Sequence, residues 1–172
     1  MRYLILVLLM VMPLTGLAQG PSRSAPPLCS GVNGLSASEI EQILAAHNKV
    51  REQYKLPTLT WDCKLANFAQ EWATRGLAEH REYCNFGESI FVSSMESLVP
   101  DLPVKTWLNE GQFWNNQAGT CQAGKMCNHF TQLVWKRTTQ VGCGINTHLS
   151  GRWKTMLVCN YNPAGNTPGP AY

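Results

Sequence analysis

The amino-acid sequence reads as an α+β domain. Three observations carry that reading. Apolar residues recur at helical spacing in several stretches of the earlier part of the chain. Two strand-like runs, Val141 to Asn146 and Trp153 to Tyr161, follow late in the sequence and are separated by a turn that contains glycine. Finally, 172 residues that are 44% hydrophobic and 15% charged describe one globular domain with enough chain for a sizeable core.

Residues 1–18 read as a secretory signal outside that domain. Arg2 gives a positive start, Tyr3 to Met12 are apolar, Pro13 ends the run, and Gly16-Leu17-Ala18 offers small residues to a peptidase. The apolar run of about ten residues falls short of the roughly 20 that span a bilayer. Secretion to the extracellular space, or to the periplasm of a bacterium, is therefore expected. In that setting the seven cysteines imply disulfides with one left over. No C-x-x-C pair marks a structural zinc knuckle. A net charge of +3 without a lysine/arginine run argues against a nucleic-acid partner.

Residues 19–35, rich in proline, serine and glycine, read as a flexible leader in which Cys29 is the candidate tether. The domain is expected over 36–166. Ser38-Glu39-Ile40-Glu41 has the form of a capping box. Behind it Ile40, Ile43, Leu44, His47, Val50 and Tyr54 share a helical face, which Pro57 ends. Asp62 is placed to cap a second helix with Leu65, Ala69, Trp72, Ala73 and Gly76 on one side, small enough for a neighbour to come close. Glu88 to Ser93 is strand-like. Asp101 and Pro103 mark a third helix start, followed by Val104, Trp107, Leu108 and Gly111 at helical spacing. Asn115 to Lys125 reads as a polar loop, His129 to Trp135 as a short helix, and 167–172 as a C-terminal tail.

For chemistry, His129 is the residue to explain, with Phe130 beside it and Trp135 six residues on. Spacing alone fits a core histidine bonded to a carbonyl as well as a ligand. His80, Glu88, Glu110 and His129 together make a workable donor set for a divalent ion such as zinc. Taken singly, Glu110 reads as a solvated helix residue and His80 as a surface helix end.

Asn128-His129-Phe130-Thr131-Gln132-Leu133-Val134-Trp135 resembles the G-H-[FY]-T-Q-x-V-W signature of the CAP superfamily, which takes in cysteine-rich secretory proteins, antigen 5 and plant pathogenesis-related proteins. Asn128 stands where glycine is usual. The segment Cys159-Asn160-Tyr161-Asn162-Pro163-Ala164-Gly165-Asn166 is similar to the second signature, C-N-Y-x-P-x-G-N. His47-Asn48-Lys49-Val50-Arg51 matches H-N-x-x-R, Leu59-Thr60-Trp61-Asp62 resembles L-x-W-D, and Gly87-Glu88-Ser89 resembles G-E-[NS].

The resemblance implies a three-layer α-β-α sandwich with a largely antiparallel central sheet. It implies a cleft with a metal tetrad of His80, Glu88, Glu110 and His129. Glu88 and His129 lie inside matched motifs, Glu110 follows Trp107 as W-x-x-E, and His80 is carried by position, with Arg81 where serine is usual. His47 becomes a structural helix residue. Cys121 with Cys127 and Cys143 with Cys159 match the family's bridges. His148 occupies the place of a plant cysteine, which leaves Cys84 to Cys29, to Cys63 or to no partner.

The function so implied is a secreted binding module for a small hydrophobic ligand, such as a sterol or lipid, or for an extracellular protein, with possible membrane-lipid contact. Phe113 and Trp114 are candidates for an aromatic wall. The alternative is a metal-dependent hydrolase, a protease or esterase, using the same cleft. Against it, the sequence has no H-E-x-x-H, no G-x-S-x-G elbow and no cysteine–histidine dyad.

Overall fold

The computed structural model describes Cys29 and residues 34–172. The signal segment and the rest of the leader lie outside the described residues. Helix α1 spans Ala37–Gln53 and is capped by Ser36, whose hydroxyl accepts from the Glu39 N–H while Glu39 reaches back to the Ser36 N–H. The box therefore starts two residues before Ser38. Both frames satisfy S-x-x-E. Leu35 decides between them, because the Ser36 frame puts Leu35 and Ile40 at the two staple positions, and both are buried in one cluster.

After the short strand β1 (Thr60–Trp61), helix α2 spans Cys63–Arg75, capped by Asp62 at one end and by left-handed Gly76 at the other. Strand β2 is Gly87–Ser93, α3 is Leu102–Asn109, and a 3-10 turn covers Glu110–Phe113. Glu110 thus opens that turn rather than lying within α3. A small hairpin, β3 (Trp114–Asn115) with β4 (Thr120–Cys121), begins one residue before the expected polar loop and occupies its first part. Helix α4 is Asn128–Leu133, followed by β5 (Gln140–Asn146) and β6 (Thr155–Asn162).

The main sheet has the order β1-β5-β6-β2, antiparallel except for the β1–β5 pair. Side chains of β6 alternate between two cores, as the pleat requires. Leu157, Cys159 and Tyr161 join Ile43, Val104, Trp107 and Phe130 of the α1, α3 and α4 layer. Met156 and Val158 face the other way and join Ala69, Trp72 and Ala73 of α2. That is the expected α-β-α sandwich. α2 lies close because Gly142 and Gly144 offer no Cβ; one at Gly142 would stand 2.3 Å from the Ala66 nitrogen.

Three disulfides tie the domain: Cys29–Cys63, Cys121–Cys127 and Cys143–Cys159. Cys84 remains a thiol. The tail is not loose at its end, for Ala171 is buried and Tyr172 packs edge-on against Tyr54 and Phe130.

Candidate functional site

The four candidate residues form two His/Glu pairs. In the first, α3 delivers Trp107, whose ring stacks on His129 with centroids 5.8 Å apart and planes 17° from parallel. Glu110, one turn on, faces the His129 Nδ1 at 2.6 Å. Its other oxygen accepts the backbone N–H groups of His129 at 3.0 Å and Phe130 at 3.3 Å. Cys127, at the N-cap of α4, makes no side-chain cap bond. A carboxylate from elsewhere in the chain thus caps this short helix and orients its histidine in one contact.

In the second pair, His80 Nδ1 lies 3.0 Å from Glu88 Oε1 on β2. The Glu88 side chain is 5% exposed and the His80 side chain 60%. Burial alone would raise the Glu88 pKa, but hydrogen bonds from His80, the Arg81 N–H and Asn160 outweigh it and hold the carboxyl below its ordinary value. The bond to Glu88 raises the His80 pKa against the opposing effect of burial. Arg81 lies over the Phe68 ring at 3.6 Å and donates to the Phe68 carbonyl. That contact anchors the segment between α2 and β2. Cys84 touches the Asn160 amide at 3.9 Å, and burial pushes its thiol pKa up.

Gln132 joins the two pairs. It lies one turn beyond His129 and fills the space beside Gly87, where a Cβ would fall 2.0 Å from its Oε1. The same oxygen accepts the Gly165 N–H at 2.9 Å. The pairs therefore flank one junction between α4 and β2. Among the described residues, no group of three or more His, Cys, Asp and Glu side chains is close enough to hold a metal ion. In each pair Nδ1 is engaged by a carboxylate, and Nε2 has no hydrogen-bond partner among the described residues. Each pair thus leaves Nε2 as the ring nitrogen available to a ligand, with the glutamate orienting the imidazole.

His47 is the core histidine. It is fully buried, donates Nδ1–H to the Ile43 carbonyl at 2.8 Å and accepts the Tyr161 hydroxyl at Nε2, 3.0 Å away. Burial lowers its pKa to about 4. His148 is exposed in the β5–β6 turn. Phe113 and Trp114 are partly buried, and neither lines the groove between α1 and α3, a cavity of about 440 Å³. Its walls include Ala46, Val50, Val104 and Leu108, with Lys49 and Lys105 also lining it.

The pairwise sequence motifs do not name Arg81, Asn160, Gln132 or Trp107 as positioning residues. The signals available were the adjacency of Arg81 to His80 and the presence of Asn160 and Gln132 inside matched signatures.

A profile of the CAP family, described as the cysteine-rich secretory protein family, matches residues 44–161. The chain is 38% identical over 137 residues to pathogenesis-related protein PR-1 of Medicago truncatula, covering 78% of this chain and 79% of that one. It is 35% identical over 150 residues to human peptidase inhibitor 16, with 80% of this chain covered but only 32% of the relative's length. The chain therefore spans about a third of that protein. Among solved structures, NaASP2 with Zn2+ superposes with a TM-score of 0.67 at 24% identity, over 82% of this chain and 88% of that one. Na-ASP-1 superposes at 0.74 and 20% identity, over 90% and 46%. At these identities the likeness is one of fold.

Proposed function

The chain belongs to the CAP family of cysteine-rich secretory proteins, and we propose that it is a secreted binding module for a small hydrophobic ligand with an anionic head. The observation that supports this reading is the groove between α1 and α3. Its volume of about 440 Å³ falls in the range of small-molecule sites. Lys105 is paired with Asp101 at 2.5 Å, whereas Lys49 has no carboxylate partner among the described residues and is the cation left for a head group. An acyl chain with a carboxylate suits this arrangement better than a sterol, whose hydroxyl needs no cation.

Displacement of a fluorescent fatty acid tests it. The purified protein should bind the probe, and Ala46→Trp, which fills the groove from its half-buried rim, should abolish binding without lowering the Tm. Lys49→Glu should weaken the fatty acid and spare a sterol probe. Equal binding by wild type and Ala46→Trp would remove the groove from consideration.

A cation at the His/Glu pairs is favoured by a separate observation, the engagement of both Nδ1 atoms by carboxylates. His80 and His129 would hold it through Nε2, with Glu88 and Glu110 offsetting its charge. When bound, a zinc ion would supply a Lewis-acidic centre. Calorimetric titration with zinc should show binding that His129→Ala abolishes. Binding should weaken as pH falls, because both imidazoles must be neutral to ligate. Assay of the zinc-loaded protein against peptide and ester substrates, with and without chelator, separates the hydrolase reading.

A further inference from the structure

One end of the sheet displays an apolar and basic surface that neither the groove nor the His/Glu pairs use. It is the end where β2 leaves the sheet and β6 enters it. The Lys154 N–H donates to the Ser93 carbonyl at 2.7 Å, and the Thr155 hydroxyl to the Met95 carbonyl at 2.7 Å. The Leu149 N–H donates to the Lys154 carbonyl at 3.2 Å. Helix α2 ends at the same place, since a Cβ at Gly76 would stand 2.9 Å from the Leu149 side chain. Three turns thus meet here. They expose Trp153 at 37%, Met95 at 37% and Leu77 at 46%.

Arg75, Arg152 and Lys154 stand at this end, and none pairs with a carboxylate among the described residues. His148 is exposed beside them; the acids closest in sequence are Glu96, next to Met95, Glu79, two residues past Leu77, and Glu71, one turn before Arg75. The Arg152 guanidinium lies over the Trp153 ring at 4.6 Å. An indole with a cation stacked on it, flanked by thioether and aliphatic groups, matches the water–lipid interface. There the rings and chains enter the head-group layer while lysine and arginine reach the phosphates.

We infer that this end of the sheet, carrying Trp153, Met95, Leu77, Arg75, Arg152 and Lys154, docks on an anionic lipid bilayer. The contact is peripheral, because no helix of the described residues is long and apolar enough to cross a membrane. A bilayer is favoured over an acidic protein because the apolar groups stand on separate turn tips. A protein partner would need a complementary surface of about 800 Å² per side; a head-group layer needs none. Glu88 faces Asn160 in the β2–β6 register, five residues along β6 from Thr155. At about 3.3 Å per residue Glu88 stands roughly 17 Å along the sheet from the docking end. The inference is independent of the ligand proposed for the α1–α3 groove.

Co-sedimentation with vesicles tests it. Phosphatidylcholine vesicles containing phosphatidylserine should pull down the wild-type protein, more weakly as salt rises, and phosphatidylcholine alone should not. Arg152→Gln with Lys154→Gln should weaken binding about 25-fold, at roughly fivefold per cation removed near an anionic surface. Trp153→Ala should weaken it with the charges intact. All these side chains are exposed or half-exposed, so circular dichroism should show unchanged folding. Equal sedimentation of wild type and both variants would overturn the assignment. So would retention on polyglutamate with no sedimentation on phosphatidylserine vesicles.

Discussion

Arg51 is fully buried, and its ligands are carbonyls rather than carboxylates. It donates to Pro57, Leu133, Trp135 and Thr138 at 2.6–3.1 Å. Burial lowers its pKa to about 10, which leaves it charged at neutral pH. Arg51→Ala should cost at least about 3 kcal/mol, because the carbonyls then have no donor. Arg51→Lys should recover only part, since an ammonium cannot span the fork. Urea midpoints measure both. His47 makes stability depend on pH in a defined direction. Its pKa is lowered from 6.5 in the unfolded chain to about 4 in the fold. The unfolded state therefore takes the proton first. The stabilisation is complete above pH 6.5 and is lost as pH falls towards 4, on the order of 3 kcal/mol in all. His47→Gln, which keeps a donor and an acceptor but does not titrate, should show a smaller loss between pH 7 and pH 4.5. The helical face of His47 was legible from spacing. The burial of Arg51 was not, because its partners are supplied by chain as far off as Thr138.

At the scale of elements, the junction of α4 with β2 holds the two His/Glu pairs in register. Gly87 and Gly165 both abut Gln132, each with under 3.0 Å for a Cβ. Gly87→Ala should destabilise by about 1–3 kcal/mol through overpacking. If zinc binds across the pairs, the same change should weaken it while leaving all four side chains present; calorimetry on the folded variant reads this. Helix and strand identities were largely legible, because periodicity and caps are local. What escaped was set by contacts between elements. Leu35, buried in the core, moved the α1 cap to Ser36. Glu110 became the cap of α4 across a loop that spacing cannot traverse. The β3–β4 hairpin hid in a polar stretch because two-residue strands carry no alternation to detect.

At the scale of the molecule, the Cys29–Cys63 bridge ties Cys29 to the first residue of α2. It closes a separation of 34 residues, and chain-entropy reasoning puts its contribution at about 3–4 kcal/mol. Cys29→Ser with Cys63→Ser should lower the Tm by roughly 10 °C, and removal of residues up to Gly34 should do the same. A Tm unchanged by both would mean that the bridge only decorates the fold. Long closures of this kind recur. Arg51 reaches Thr138 across 87 residues, and β1 pairs with β5 at Gln140 and Val141. On a ribosome adding 5–20 residues per second, the stretch between Arg51 and Thr138 takes roughly 4–17 s to appear. Until then the first helix has nowhere to place its guanidinium and no sheet to cover its apolar face. A nascent chain arrested before Thr138 should be cut readily by protease, and one extended past Asn162 should resist. The late arrival of these partners delays closure of the fold until nearly the whole domain has been made.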